Sequence, residues 1–243
     1  MSPMNSVADP AATAFLPNSN LVEISSEVCQ QVGGIYTVIR SKIPAMMQRW
    51  GRRYCLVGPY NPGAAAAEFE PGPMNDLFGQ AAKTMRERGY DVHYGCWLVT
   101  GRPNVVLMNT QSVMNKLGEI KYFFWEHHKI SMPDDPEINS VLAFGHMVRE
   151  FLWTLLHQTQ PQPSVIAHFH EWMGGSAIPD LRRDGAPLGI VFTTHATLLG
   201  RYLAMADGWF YDHLPFVNWE ADAKSFNIEA RVRLERAASH GAH

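Results

Sequence analysis

LVEISSEVCQQVGGIYTVIRSKIPAMMQRWGRRYCLVGPY, residues 21–60, decides the fold. It reads as strand, glycine turn, helix and strand. Leu21 to Ile24 is short and mostly apolar, as suits a buried parallel strand. Gly33 and Gly34 then interrupt the chain and lead into a helical pattern. Ile35, Val38, Ile39 and Ile43 recur at helical spacing and predict one apolar face. Gly51 ends that helix or the turn after it, and Tyr54 to Val57 supplies the next buried strand. A strand, a glycine pair and a helix N-terminus together make an anion site. Bare backbone admits a ligand, and the free N–H groups of the first turn point at it. A tight turn is the commoner use of two glycines, and the spacing is not G-x-G-x-x-G, so no dinucleotide fingerprint is present.

Outward from this unit, residues 1–20 read as a mobile tail and 21–243 as one domain. Residues 61–76, rich in Pro and Gly, predict a surface loop, and Leu77 to Arg88 a helix stopped by Gly89. DVHYGCWLVT and PNVVLMN flank Gly101-Arg102-Pro103 and predict a hairpin, with Tyr94 and Trp97 as packing aromatics. Ser112 to Ser140 carries no clear pattern. Its neighbours His127 and His128 cannot share a helix face, which makes them a poor metal pair.

Val141 to Leu156 predicts a long buried helix, and Val165 to Phe169 a buried strand running into His170 and Glu171. Gly174-Gly175 opens a further helix to about Arg183, and Gly189 to Thr194 is a strand that ends at His195. A helix carrying Arg201 follows, then a loop over 207–215 and a helical segment over 223–243. In that last segment Arg231, Arg233, Glu235 and Arg236 predict a solvated face with intrahelical pairs. The alternation predicts an α/β fold: a Rossmann-like, mostly parallel sheet with helices on both faces. In such sheets ligands bind outside the carboxyl ends of the strands. Gly33-Gly34, His168 to Glu171 and Thr193 to His195 all fall at that edge.

The totals exclude several classes. A net charge of −3 gives no surface for nucleic acid or an anionic membrane. No apolar run is long enough to span a bilayer, and the first twenty residues lack the pattern of a signal peptide. Cys29, Cys55 and Cys96 are odd in number and far apart, which fits reduced thiols better than a disulfide framework.

His168, His170, Glu171 and His195 could form a metal constellation, since H-x-H places two imidazoles on one strand face. Packed or hydrogen-bonded histidines at a strand end explain the same spacing. No G-x-S-x-G elbow supports a nucleophilic serine. Arg201, near a helix start, could clamp a phosphate through its bidentate fork or stand as an exposed helix charge.

The strings EVCQQVGGIYTVIRSK, YCLVGPYNP, YGCWLVTGRPNVVLMN, VIAHFHEWMGG, IVFTTHATLLGRYLA and LERAASHGAH occur in this order. Together they closely resemble the fungal and animal type of glycogen synthase, a retaining glycosyltransferase family. The match is dense over residues 22–60, 88–110, 164–206 and 228–243, and sparse elsewhere. The resemblance implies the N-terminal, acceptor-side half of a two-domain GT-B fold. It implies transfer of glucose from UDP-glucose to the non-reducing end of an α-1,4-glucan such as glycogen, in the cytoplasm, with no metal or other cofactor. Assembly into a homo-oligomer at full length stays open. The chain stops within a pattern that the family continues into a donor-binding half, so it reads as a fragment, inactive or nearly so alone.

By matching motif, Gly33 and Gly34 resemble the loop that approaches the donor pyrophosphate. His195 is similar to the histidine that lies against the donor glucose and is the catalytic candidate. Arg201 is similar to the arginine that faces the donor phosphate. His170 and Glu171 are similar to residues on the acceptor side. One position departs: Gln31 stands where the family usually has Lys or Arg, and Arg40 or Lys42 could supply the missing charge. An H-x-H metal-dependent hydrolase and a non-catalytic glucan-binding module are the rival readings.

Overall fold

The structure, a computed structural model, describes residues 18–206 and 208–243. In chain order the elements are β1 (Asn20–Ile24), α1 (Gly34–Trp50), β2 (Tyr54–Pro59), α2 (Pro62–Glu68), β3 (Phe69–Pro71), α3 (Leu77–Glu87), β4 (Val92–Trp97), β5 (Asn104–Met108), α4 (Leu117–His128) and α5 (Pro136–His157). There follow β6 (Val165–His170), α6 (Glu171–Gly174), α7 (Ile178–Arg183), β7 (Gly189–Thr193), α8 (Leu198–Ala206), α9 (Phe210–His213), α10 (Trp219–Ser225) and α11 (Glu229–Gly241). The seven strands form one sheet in the order β3-β4-β5-β2-β1-β6-β7. β3, β4 and β5 pair antiparallel; all other pairings are parallel. The hairpin around residues 101–103 is therefore present.

Strand alternation divides the core in two. Val22 and Ile24 of β1, Cys55 and Val57 of β2, and Ala167 and Phe169 of β6 pack with α3, α5 and α7. Leu21, Tyr54, Leu56, Val105 and Leu107 face the other way, under Tyr36, Ile39 and Ile43 of α1. Helices thus cover both faces, as the alternation requires. On α1, Ile39 and Ile43 are buried and Ile35 packs beside them as expected, whereas Val38 is exposed and Tyr36 is buried instead. The bulky ring sits against Trp97 at a centroid distance of 5.5 Å.

Start signals in the sequence are realised as caps. Asp76 accepts from Gly79 N–H at 2.8 Å ahead of α3, and Asp135 from Ile138 N–H at 2.9 Å ahead of Pro136 and α5. Four expectations differ. Residues 61–76 contain α2, capped by Asn61, and the short β3. The helix after β6 begins at Glu171, not at Gly174. The stretch 207–215 holds the short α9, and the C-terminal segment is two helices separated at 226–228.

The predicted tail over 1–20 lies outside the described residues up to position 17. Ser19 and Asn20 are fixed, since Asn20 N–H donates to Ser164 C=O at 2.8 Å and the Ser19 and Ser164 hydroxyls meet at 2.9 Å. Among the described residues no helix is long and apolar enough to cross a membrane.

Candidate functional site

The chain leaves β1 outward to β2 and returns to pair β6 on β1's other side, so the direction of winding reverses between β1 and β6. A crevice at the carboxyl ends of those two strands is the place for a ligand in an open α/β sheet. A cavity of about 530 Å³ opens there, and Glu27, Glu171, His195, Arg201, Tyr202 and Arg231 are among its walls. A larger cavity of about 680 Å³ lies between α3 and the C-terminal end of α5, and none of the residues singled out in the sequence lines it. Three expected site residues, Glu171, His195 and Arg201, therefore share one wall system. His170 sits behind it, 2% exposed.

The strand-to-helix turn after β6 aims Glu171. Its φ is +59°, a left-handed conformation that costs of order 1–3 kcal/mol for a residue with a Cβ and concentrates at functional turns. The carboxylate accepts from the His195 backbone N–H at 2.6 Å. Glu235 of α11 holds the same loop from the other side, accepting from Leu198 N–H at 3.0 Å and capping α8. Burial pushes the Glu235 carboxyl above its ordinary range and nearby Glu171 adds to this, against the Leu198 hydrogen bond. Glu235 is 5% exposed, so the expected solvated face on α11 is corrected here. Arg231 also leaves its own helix, to pair with Asp135 and Glu137 at 2.9 Å each.

The glycine loop is placed differently from the simplest anion-site expectation. The Glu27 carboxylate accepts from Gly33 N–H at 2.7 Å and from Tyr36 N–H at 3.0 Å, so a side chain of the protein already occupies part of the helix N-terminus. Gly34 is exposed, and a Cβ built there meets nothing within 4 Å. Gln31 is exposed, and neither proposed substitute cation replaces it. Arg40 lies over the Tyr36 ring, and Lys42 is turned inward onto the carboxylate of Glu23.

That carboxylate is the centre of a buried polar cluster on the α1 face of the sheet. Glu23 is fully buried. The Tyr54 hydroxyl donates to its Oε2, the Lys42 ammonium pairs with Oε1, and His170 Nε2 lies 2.6 Å from Oε1. Burial alone would raise the Glu23 carboxyl. The His170 hydrogen bond and the Lys42 charge outweigh it and hold the group at about 2. His170 Nδ1 in turn lies 3.2 Å from His195 Nε2. His168 contacts Thr193 Oγ1 through Nε2 at 2.8 Å, and burial, with His170 beside it, lowers its ring to about 4 despite Glu23.

Glu23, His168 and His170 offer three donor atoms within 4.8 Å of one another, a set that could suit a divalent metal. The Lys42 ammonium already lies against this carboxylate, so the cluster carries a cation of its own. His127 and His128 diverge as predicted: His128 reaches Asp180 at 2.8 Å, while His127 lies beside Glu126.

A sequence profile of the glycogen synthase family matches residues 23–243. The chain belongs to the glycogen synthase family. It is similar to the glycogen [starch] synthase of Neurospora crassa, at 40% identity over 92% of this chain and 32% of the relative. The liver glycogen [starch] synthase of Rattus norvegicus gives the same identity and coverage. Isoform 1 of Saccharomyces cerevisiae is 37% identical over 93% of this chain and 34% of the relative. The chain thus spans about a third of the length of these family members. Of the residues singled out by motif, Glu171, His195 and Arg201 line the crevice, whereas Gly33, Gly34 and His170 do not. Glu23, Glu27, Tyr54 and Glu235 were not among the residues singled out in the sequence for this site, and Lys42 was singled out only as a substitute charge for Gln31. A carboxylate inside the apolar run LVEI was the one local signal available for any of them.

Proposed function

We propose that this chain is the acceptor-side lobe of a retaining glucosyltransferase, which moves glucose from UDP-glucose to the non-reducing end of an α-1,4-glucan. The observation that carries the reading is the meeting of Glu171, His195 and Arg201 on one cavity at the β1/β6 reversal, in a member of the glycogen synthase family. Retention follows if UDP leaves and the acceptor hydroxyl enters on the same face of the sugar. The charge that develops on the leaving phosphate must then be stabilised by fixed dipoles and cations.

In this reading Arg201 offers a planar fork to a phosphate. His195 lies against the donor glucose, Glu171 faces the acceptor side, and His170 supports the site from behind. The glycine loop contributes through Gly34, because Gly33 is committed to Glu27. The reaction belongs in the cytoplasm, a compartment in which three unpaired thiols, Cys29, Cys55 and Cys96, remain reduced.

The test is incorporation of labelled glucose from UDP-glucose into glycogen, by this chain mixed with the donor half of a related glycogen synthase. Incorporation is expected, and it is expected to vanish with His195→Ala. Glycogen binding without incorporation, in a mixture shown to associate, would replace this reading with that of a binding module.

A further inference from the structure

The polar cluster around Glu23 ends on His195, the residue to which the proposed transfer gives the most direct role. Four groups surround the Glu23 carboxylate: Tyr54 from β2, Lys42 from α1, and His168 and His170 from β6. Only one carboxylate and one ammonium in this set need carry charge. The Lys42 and Glu23 charges cancel. A second cation on His170, 2% exposed, would leave an uncompensated charge in the interior. His170 is therefore the neutral ring, and the position of its one proton follows from its partners. A carboxylate can only accept, so the nitrogen at 2.6 Å from Glu23, Nε2, carries the proton. Nδ1 then has only a lone pair, and the His195 nitrogen 3.2 Å away, Nε2, must be the donor. The two ring planes are 15° from parallel, with centroids 5.5 Å apart, which accommodates a ring-to-ring hydrogen bond.

We propose that Glu23 and His170 are positioning residues that fix the tautomer and ring plane of His195, so that His195 offers a ligand an unprotonated Nδ1. His195 then meets a sugar as a hydrogen-bond acceptor for a hydroxyl, not as a donor. The importance of this for transfer rests on the reading of His195 given above; the tautomer itself does not. Through Tyr54 and Lys42 the arrangement is anchored in the sheet and in α1, so the orientation of an exposed histidine is set from the buried side of the site.

The test uses this chain with isotope-labelled histidine and long-range proton–nitrogen correlation spectra near neutral pH, with no donor or acceptor present. The expected spectrum has both His170 and His195 neutral, each with the proton on Nε2 alone. The His170 Nε2 proton should lie at unusually low field, because it faces a buried carboxylate at short range. His170→Phe keeps a ring of similar shape and leaves Glu23 its Tyr54 and Lys42 partners. It should turn the single His195 tautomer into a mixture. Glu23→Gln should move the His170 Nε2 proton to higher field, since an amide is a weaker acceptor. If His170→Phe does not fold, the wild-type and Glu23→Gln spectra decide. A His195 ring protonated on Nδ1, a doubly protonated His170, or a His195 tautomer indifferent to His170→Phe would overturn the proposal. Failure of glucosyl transfer would leave these spectra, and the inference, untouched.

Discussion

Glu23→Gln should cost the fold about 3 kcal/mol near neutral pH, and the cost should vanish in acid. The carboxylate is fully buried, and its partners lower the group from an ordinary 4.5 to about 2. At about 1.4 kcal/mol per tenfold change in proton affinity, this is worth about 3 kcal/mol to the ionised folded state. The folded-state value is the depressed one. The stabilisation is therefore complete above 4.5, where the unfolded chain is also ionised, and is lost as pH falls toward 2. Glutamine resembles the protonated acid in shape and charge. Wild type and variant should accordingly differ by the full amount at pH 6 and converge near pH 2, with most of the change between those two values. For a chain of this length the difference corresponds to roughly 6–12 °C in the thermal midpoint. Urea unfolding of both proteins across this pH range measures it directly. Parallel stability curves, with a gap that does not close in acid, would refute the reasoning that places an ionised, paired Glu23 at the centre of the cluster.

Gly34→Ala should leave stability unchanged or raise it by up to about 1 kcal/mol, since the site is open and not left-handed, yet weaken the use of UDP-glucose in the complemented assay; unchanged kinetics would remove Gly34 from the donor site. Glu235→Ala should destabilise the chain by about 1–2 kcal/mol through loss of the cap on α8. Hydrogen exchange should then speed up selectively in 194–201, and a uniform increase would contradict the local role. Chelator treatment should not move the thermal midpoint, because Lys42 supplies the cation at Glu23; stoichiometric zinc in the purified chain would show that the ammonium does not hold that place.

Much of the sheet was legible because its strands are short apolar runs bounded by turn residues. The β1-α1-β2 unit, the hairpin of β4 and β5, and β6 and β7 all carry that signal. The helix face of α1 was legible at Ile35, Ile39 and Ile43 and missed at Val38, where the large contact of Tyr36 on Trp97 fills the buried side instead. At the site, residues at strand ends were found because topology sends strand ends to one edge. Glu171, His195 and Arg201 do converge on one cavity. What stayed hidden depends on distant pairing. Glu235 lies in a charge-rich helix and looks solvated, yet it caps α8. Glu27 looks like an ordinary loop acid, yet it fills the turn the glycines were expected to leave open. Lys42 looked like a replacement for the absent charge at Gln31. Its position on α1 turns it to the sheet instead.

The pairing of β1 with β6 places Glu23 directly beside His168, with Val22 and Ile24 on the opposite face. A slip of one residue would drive the carboxylate into the apolar layer under α5 and bring two aliphatic side chains out against Lys42 and Tyr54. Burying an unpaired carboxylate there costs far more than the burial of any one aliphatic side chain is worth. The charged residue at the heart of the cluster thus also acts as a registration mark for the central strand. It rejects the misaligned sheets that a purely aliphatic β1 would tolerate. One expected sign is that a fully apolar replacement such as Glu23→Leu would loosen the uniqueness of strand alignment as well as the site.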